Sequence, residues 1–285
     1  MPLPTPLISA NDLLALLGRP AAWPVVLDCS FDLANAQAGE AAYAQGHLPG
    51  ARYAHLDRDL SGPKTNRGAI DGGRHPLPTR EDFAATLTVW GIGPDTPVVA
   101  YDTQGGPYAA RAWWLLRWLG HANVAVLDGG LAAWQAVGGP TDREPCRAEA
   151  AATYPSRAPA MPTVSAERLL AEPAASLVID ARAPERFRGE VEPLDAQAGH
   201  IPGARNRFFK NNLDADGHFL SADELRKVFT AFGVPAEGIV HQCGSGVTAC
   251  HNLLAMEAAG LTGSALYPGS WSEWSSDPAR PVARG

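Results

Sequence analysis

The sequence predicts an α/β protein made of two consecutive copies of one domain, each with a mostly parallel sheet covered by helices on both faces. First, the segment 46–52 (GHLPGAR) recurs as 199–205 (GHIPGAR), and related apolar runs precede and follow both copies in the same order. Second, short Val/Ile/Leu runs alternate with helical patterns, as in parallel sheets with crossover helices. A hydrophobic content of 46% supports real cores for two domains.

The elements of each copy follow in a fixed order. In the first copy, the apolar run 25–28 precedes the repeated motif, and the run 97–101 follows it; their counterparts in the second copy are 177–180 and 238–242. Two helix N-termini are predicted. Ser165 is placed as an N-cap residue, and Ser221 forms a capping-box pattern with Glu224.

Composition places the domain boundary near residues 140–162, where prolines and alanines favour an extended connector. We therefore predict an N-terminal domain over 1–140, a linker over 141–162 and a C-terminal domain over 163–285.

The net charge of −7 argues against nucleic acid or an anionic membrane as the main partner. The N-terminus has no basic region followed by an apolar stretch, and no run is long enough to span a membrane. The four cysteines are sparse and not in metal-ligand spacing, so we expect reduced thiols in a cytoplasmic protein, with neither a metal nor a cofactor.

Cys243 is the strongest candidate for chemistry. It follows the apolar run 238–240 and opens the turn 243–248 (CGSGVT), after which a helical pattern begins. Backbone N–H groups that converge at such a turn, together with the helix dipole, would stabilise a thiolate. Gly244 and Gly246 are expected to serve this turn and no packing purpose. The alternative is a buried structural cysteine.

The duplicated GHxPGA motifs and the loop 243–249 (CGSGVTA) resemble the rhodanese sulfurtransferases over nearly the whole chain. Within that family, the loop is most similar to that of the 3-mercaptopyruvate sulfurtransferases. The resemblance implies two rhodanese-like domains, of which only the C-terminal one is catalytic. Asp102 stands where Cys243 stands in the second copy, and a carboxylate there is expected to cap its turn and leave it inert.

The resemblance also implies a reaction: sulfur moves from 3-mercaptopyruvate to Cys243 as a persulfide, pyruvate leaves, and a thiol such as thioredoxin or cyanide accepts the sulfur. The proton relay implied for this step comprises Ser245, His75 and Asp57, with Asp59 as a competing carboxylate. The backbone amides of residues 244–248 would stabilise the persulfide anion; these residues are Gly244, Ser245, Gly246, Val247 and Thr248.

Arg186 matches the arginine with which the family binds the substrate carboxylate. A second family arginine is expected nine positions later, but position 195 is aspartate. Arg188, Arg205 or Arg74 are the candidates to take its place, and we include Arg188 among the substrate-binding residues.

Three alternatives stay open at this point. Thiosulfate is the other sulfur donor used in the family, although the neutral loop residues Gly244 and Ser245 favour it less. A cysteine-dependent phosphatase requires an arginine six residues after the cysteine, where this chain has Ala249. A non-catalytic binding module of the same fold usually lacks the cysteine.

Overall fold

A computed structural model describes residues 2–19, 23–146, 153–155 and 157–285. The chain forms two compact units. Unit 1 comprises residues 1–60, 78–160 and 215–219, and unit 2 comprises 61–77, 161–214 and 220–285. Each unit contains one parallel sheet flanked by helices, which confirms the predicted α/β class and the duplication.

Unit 1 has a five-stranded sheet in the order β1-β5-β4-β2-β3. Its strands are β1 (Leu7–Ile8), β2 (Val25–Asp28), β3 (Arg52–Tyr53), β4 (Val98–Tyr101) and β5 (Val124–Leu127). Its helices are α1 (Ala10–Leu17), α2 (Ala38–Gln45), α3 (Arg80–Val89), α4 (Pro107–Trp118) and α5 (Gly130–Ala136). All four residues of β4 and of β5 are buried, as expected for parallel strands covered on both faces.

Unit 2 repeats the plan with a four-stranded sheet in the order β7-β6-β8-β9. Its strands are β6 (Leu177–Asp180), β7 (Arg205–Asn206), β8 (Ile239–Gln242) and β9 (Ala265–Leu266). Its helices are α6 (Ala166–Ala171), α7 (Pro184–Phe187), α8 (Ala222–Thr230), α9 (Ala249–Ala258) and α10 (Ser270–Trp274). β6 pairs with β8 along its whole length, from Leu177 opposite Ile239 to Asp180 opposite Gln242.

The predicted helix starts are present. Ser165 caps α6 by accepting a hydrogen bond from the N–H of Arg168. Ser221 and Glu224 form the complete capping box of α8. These caps fix where the two helices begin, because each satisfies a backbone donor that the helix itself leaves unpaired.

The compact units do not follow the continuous division expected from composition. Residues 61–77, which precede α3, group with unit 2, and residues 215–219 group with unit 1. The boundaries 1–140, 141–162 and 163–285 stay a prediction about the domains as sequence units, and part of the linker lies outside the described residues. Across the described ranges, no helix is both long and apolar enough to cross a membrane.

Candidate active site

Cys243 follows β8 directly, at the carboxyl end of a strand whose four residues are all buried. The side chain is itself buried, with 1% of its surface exposed. Two hydrogen bonds hold its backbone: its N–H donates to the Ser270 hydroxyl (3.1 Å), and its carbonyl accepts from the N–H of Trp271 (3.0 Å). The predicted placement of the thiol between a strand and a helix is confirmed.

The equivalent loop of unit 1 shows what this geometry does with an anion. The Asp102 carboxylate accepts four backbone hydrogen bonds, from Gln104 (2.9 Å), Gly106 (2.8 Å), Tyr108 (2.9 Å) and Ala109 (3.0 Å). Burial raises the pKa of Asp102, and these four amides act against that rise. The loop between strand and helix therefore gathers its amides onto one negatively charged group, as predicted for Asp102.

In unit 2 the same loop has Cys243 at that position. The N–H groups of Ser245, Val247 and Ala249 stand two, four and six residues after Cys243, matching three of the four donors to Asp102. Within the described residues, none of these three amides donates to a protein acceptor. Thr248 is the N-cap residue of α9, so the helix N-terminus adds its dipole at the same place. The Cys243 side chain therefore stands at the loop position that the Asp102 carboxylate has in unit 1.

The absence of a side chain at Gly244 and at Gly246 has a steric reason that the sequence did not reveal. Gly246 has φ +76°, and a Cβ there would lie at 2.3 Å from the carbonyl oxygen of Pro268. The expectation that it serves no packing purpose is therefore wrong. A Cβ on Gly244 would lie 3.0 Å from Arg74 Nη2 and 3.5 Å from Arg186 Nη1, so its missing side chain leaves room for two guanidinium groups.

The structure brings Ser245 and His75 together. His75 Nδ1 lies 2.7 Å from the Ser245 hydroxyl oxygen, and both side chains are 5% exposed. A hydroxyl and an imidazole in this contact can pass a proton, and the tautomer of the ring decides which of them donates.

Asp57, the carboxylate predicted for the relay, is an exposed residue of unit 1 whose N–H donates to His55 Nδ1 (3.1 Å). Its competitor Asp59 is engaged locally: it accepts the N–H of His55 (2.8 Å) and pairs with Arg58. The role of Asp57 stays a prediction.

Helix α10 positions both the thiol loop and the segment that carries His75. The N–H of Ser272 donates to the carbonyl of Gly244 (2.8 Å), and the Ser272 hydroxyl accepts the N–H of Arg74 (3.0 Å). The N–H of Gly72 donates to Glu273 (3.2 Å). Sequence reasoning missed Ser270 and Ser272; the only signal was their place after the repeated turn before Trp274.

A buried chain of alternating charges begins behind this loop. The Arg182 guanidinium pairs with Asp180 at 2.7 Å and with Glu192 at 3.2 Å, and stacks over the ring of Trp271 at 4.7 Å. Arg186 pairs with the other oxygen of Glu192 at 2.6 Å. These charges are buried in pairs, because an unpaired charge in such surroundings would be strongly destabilising.

Asp195 ends this chain. It pairs with Arg186 (3.0 Å) and with Arg74, and only 2% of its side chain is exposed. Burial, together with the positive charge of Arg186, lowers the pKa of Arg74, and the nearby Cys243 side chain offsets part of that fall. The predicted arginine Arg186 therefore lies at the thiol loop, and Arg74 lies beside it.

The other two candidate arginines lie elsewhere. Arg188 is exposed and pairs with Glu190 at 2.7 Å. Arg205 is exposed and donates to the carbonyl of Phe232 (3.3 Å). Neither is among the nearest atoms to Gly244, and a substrate-binding role for Arg188 stays a prediction. No cluster of three or more His, Cys, Asp or Glu side chains in the described part of the chain is arranged to hold a metal ion.

Comparisons with known proteins agree with this architecture. The family model described as a rhodanese-like domain matches residues 9–137 and 164–277. A Pseudomonas aeruginosa protein whose name assigns it to the 3-mercaptopyruvate sulfurtransferases is 46% identical over 98% of both chains. A Mycobacterium tuberculosis protein whose name assigns it to the thiosulfate sulfurtransferases is 44% identical over 87% of this chain and 86% of its own. The solved structure of 3-mercaptopyruvate sulfurtransferase from Leishmania major matches with a TM-score of 0.82 at 30% identity, covering 95% of this chain and 74% of that one.

Proposed function

The chain belongs to the rhodanese family, and from that premise we propose that it is a sulfurtransferase that takes sulfur from 3-mercaptopyruvate and passes it to a thiol or to cyanide. The observation that carries the proposal is the position of the Cys243 thiol, directly after β8 of unit 2. In the equivalent loop of unit 1, the backbone amides converge on the carboxylate of Asp102. The name of the Pseudomonas aeruginosa relative supports the choice of donor.

In the first half of the reaction, the Cys243 thiolate attacks the sulfur of 3-mercaptopyruvate. An S–S bond forms, the C–S bond breaks, and its electron pair stays on carbon as the enolate of pyruvate. The proton of the donor thiol ends on that carbon, so the products are pyruvate and a Cys243 persulfide anion. The persulfide would be stabilised by the loop formed by Gly244, Ser245, Gly246, Val247 and Thr248.

The proton transfer to the enolate is assigned to Ser245 and His75, whose 2.7 Å contact supports a relay. Asp57 is proposed to fix the tautomer of His75. We expect His75→Ala to lower kcat for 3-mercaptopyruvate while Cys243 still reacts normally with iodoacetamide. Unchanged kcat would remove His75 from the mechanism, and unchanged kcat in Asp57→Asn would remove Asp57.

In the second half, an acceptor attacks the outer sulfur of the persulfide. Cyanide would leave as thiocyanate and regenerate the Cys243 thiolate. A dithiol such as reduced thioredoxin would become a disulfide, with release of sulfide. Both acceptors balance without a further oxidant or cofactor, and both give ping-pong kinetics.

Thiosulfate is the second candidate donor, because the Mycobacterium tuberculosis relative is nearly as similar as the Pseudomonas aeruginosa one. Thiosulfate is a dianion, whereas the loop residues between Cys243 and Thr248 carry no charge. The neutral loop supports 3-mercaptopyruvate.

The proposed setting is the cytoplasm. It is supported by the four cysteines, none of which forms a disulfide.

The test compares kcat/KM for 3-mercaptopyruvate and thiosulfate with cyanide as acceptor. We expect a higher value for 3-mercaptopyruvate, one extra sulfur on Cys243 after treatment with donor alone, and no activity in Cys243→Ser. Cys146→Ser is the matched control, because it removes a free cysteine that lies, in the sequence, after α5 and before α6. Equal or higher efficiency with thiosulfate would overturn the donor, and sulfur transfer by Cys243→Ser would overturn the mechanism.

A further inference from the structure

We propose that Arg74 is the second substrate-binding arginine of this site, that it binds the donor carboxylate together with Arg186, and that Asp195 is the residue that positions both guanidinium groups. The inference rests on the proposed function, because it names the residues that hold the donor. It assigns a role to a residue from the segment 61–77, which unit 2 draws from the first half of the sequence.

The position of the two guanidinium groups supports the assignment. Measured from an ideal Cβ built on Gly244, the residue after the thiol, Arg74 Nη2 lies at 3.0 Å and Arg186 Nη1 at 3.5 Å. Apart from Gly244 and its two neighbours in the chain, these are the nearest groups to that point. Arg74 is also close enough to Cys243 for the two side chains to influence each other electrostatically. A donor whose sulfur meets Cys243 would therefore bring its carboxylate to these two groups.

Both guanidinium groups keep donors available. Arg74 uses Nη1 for Asp195, and its Nη2 has no protein acceptor within the ranges that the structure describes. Arg186 uses Nη2 for Glu192 and Asp195, whereas its buried Nε has no acceptor among the described residues. Buried donors without a partner are uncommon and point to a missing acceptor. A carboxylate, with two oxygens, can accept from two guanidinium groups at once.

Asp195 explains how the pair is held. Its two oxygens pair separately, one with Arg74 and the other with Arg186, so a single buried carboxylate fixes two neighbouring guanidinium groups. Burial, followed by the positive charge of Arg186, lowers the pKa of Arg74, so two guanidinium groups this close need a shared carboxylate to hold them. Position 195, where a binding arginine was expected, therefore holds a carboxylate instead. That carboxylate binds Arg74 and holds it beside Arg186.

The charge balance of the network gives the site its selectivity. Three guanidinium groups (Arg74, Arg182 and Arg186) face three buried carboxylates (Asp180, Glu192 and Asp195), so the formal charge of the six side chains is zero. Such a site attracts anions by directed hydrogen bonds rather than by net charge. It suits the planar carboxylate of a 2-oxo acid better than a compact dianion.

The test measures kcat and KM for 3-mercaptopyruvate in Arg74→Leu and Arg74→Lys at saturating cyanide. We expect Arg74→Leu to raise KM about tenfold or more while kcat changes less than about threefold, because a lost charge-assisted hydrogen bond weakens binding by this order. Arg74→Lys should fall between, since lysine keeps the charge but lacks the planar fork. Arg168→Leu, which removes an exposed ion-paired arginine of α6 in the same unit, is the matched control.

The rate at which iodoacetamide modifies Cys243 reports whether each variant keeps an intact site. If Arg74→Leu reacts normally and its KM is unchanged, or if Arg188→Leu raises KM and Arg74→Leu does not, the inference is overturned. If instead the wild-type protein fails to use 3-mercaptopyruvate, the proposed function falls first, so the two failures are distinguishable.

Asp195→Asn tests the positioning role separately. The amide keeps the size of the side chain but loses its charge and one acceptor oxygen, so at least one arginine is no longer fixed. We expect the ratio of kcat/KM for 3-mercaptopyruvate to that for thiosulfate to fall at least about threefold, because the site gains net positive charge and loses orientation. A purely structural role would lower both efficiencies in proportion and leave the ratio unchanged, which would overturn this part of the proposal.

Discussion

The histidine of the strand that ends at the thiol makes the stability of unit 2 dependent on pH. His241 lies in β8, fully buried. Its Nε2 lies 3.0 Å from the sulfur of Met256, and its Nδ1 is buried without a hydrogen-bond partner among the described residues. Burial therefore lowers the pKa of His241 from its ordinary value of 6.5 to about 3. The folded protein keeps this ring neutral.

The sign and size of the effect follow from that shift. Below pH 6.5 the unfolded chain binds a proton at this ring, and the folded protein does not until the pH approaches about 3. The contribution of neutral His241 to the free energy of unfolding is fully present above pH 6.5, and it decreases as the pH falls from 6.5 towards 3. Between pH 7 and pH 5 this one group lowers the free energy of unfolding by about 2 kcal/mol.

The assay is urea unfolding followed by tryptophan fluorescence at pH 7 and pH 5, for the wild type and for His241→Gln. Glutamine is similar in size and does not titrate, so the variant should lose about 2 kcal/mol less than the wild type over this interval. The comparison cancels the contributions of the other titrating groups, which the two proteins share. Equal losses in both proteins would refute the argument that burial holds His241 neutral.

Three further predictions concern the loops and the ion pairs. Asp102→Asn should destabilise unit 1 by about 2 kcal/mol, because an amide nitrogen cannot accept from the buried N–H groups that the carboxylate satisfies; unfolding midpoints equal to the wild type would contradict this. Arg182→Leu should cost about 3–5 kcal/mol by leaving the buried carboxylate of Asp180 without its ion-pair partner, whereas Arg168→Leu, at an exposed pair, should cost less than about 1 kcal/mol in the same measurement. Gly246→Ala should lower both thermal stability and sulfur transfer more than Gly203→Ala, since both glycines have positive φ but only Gly246 faces a backbone oxygen at 2.3 Å; equal effects would remove the steric argument.

Much of the fold follows from local patterns. The apolar runs became β2, β4, β6 and β8, because parallel strands covered on both faces favour apolar residues; the last two residues of β8, His241 and Gln242, are polar exceptions. The two-residue strands β3 and β7 carry no such pattern, since two residues have no periodicity. The grouping of segment 61–77 with unit 2 depends on contacts between distant parts of the chain, such as the N–H of Arg74 with Ser272, which no local signal encodes.

The candidate site divides in the same way. Cys243 was predictable because strand, glycine turn and helix follow one another in sequence, and the structure confirms that order. The charged network was not predictable from the sequence, because the spacing between paired residues matches no helix or strand period. Arg74 and Asp195, for example, are far apart in the chain. Position 195 looked like the loss of a binding residue, and only the three-dimensional arrangement relates it to Arg74.

The carboxylate at position 102 shows how the first of two copies can keep this loop without a thiol. A domain that merely lost its nucleophile would inherit a turn crowded with amide dipoles and nothing to oppose them. Asp102 supplies that opposing charge at the position where the second copy has its thiol. We expect the first copy to take no part in sulfur transfer, while its loop keeps the same architecture.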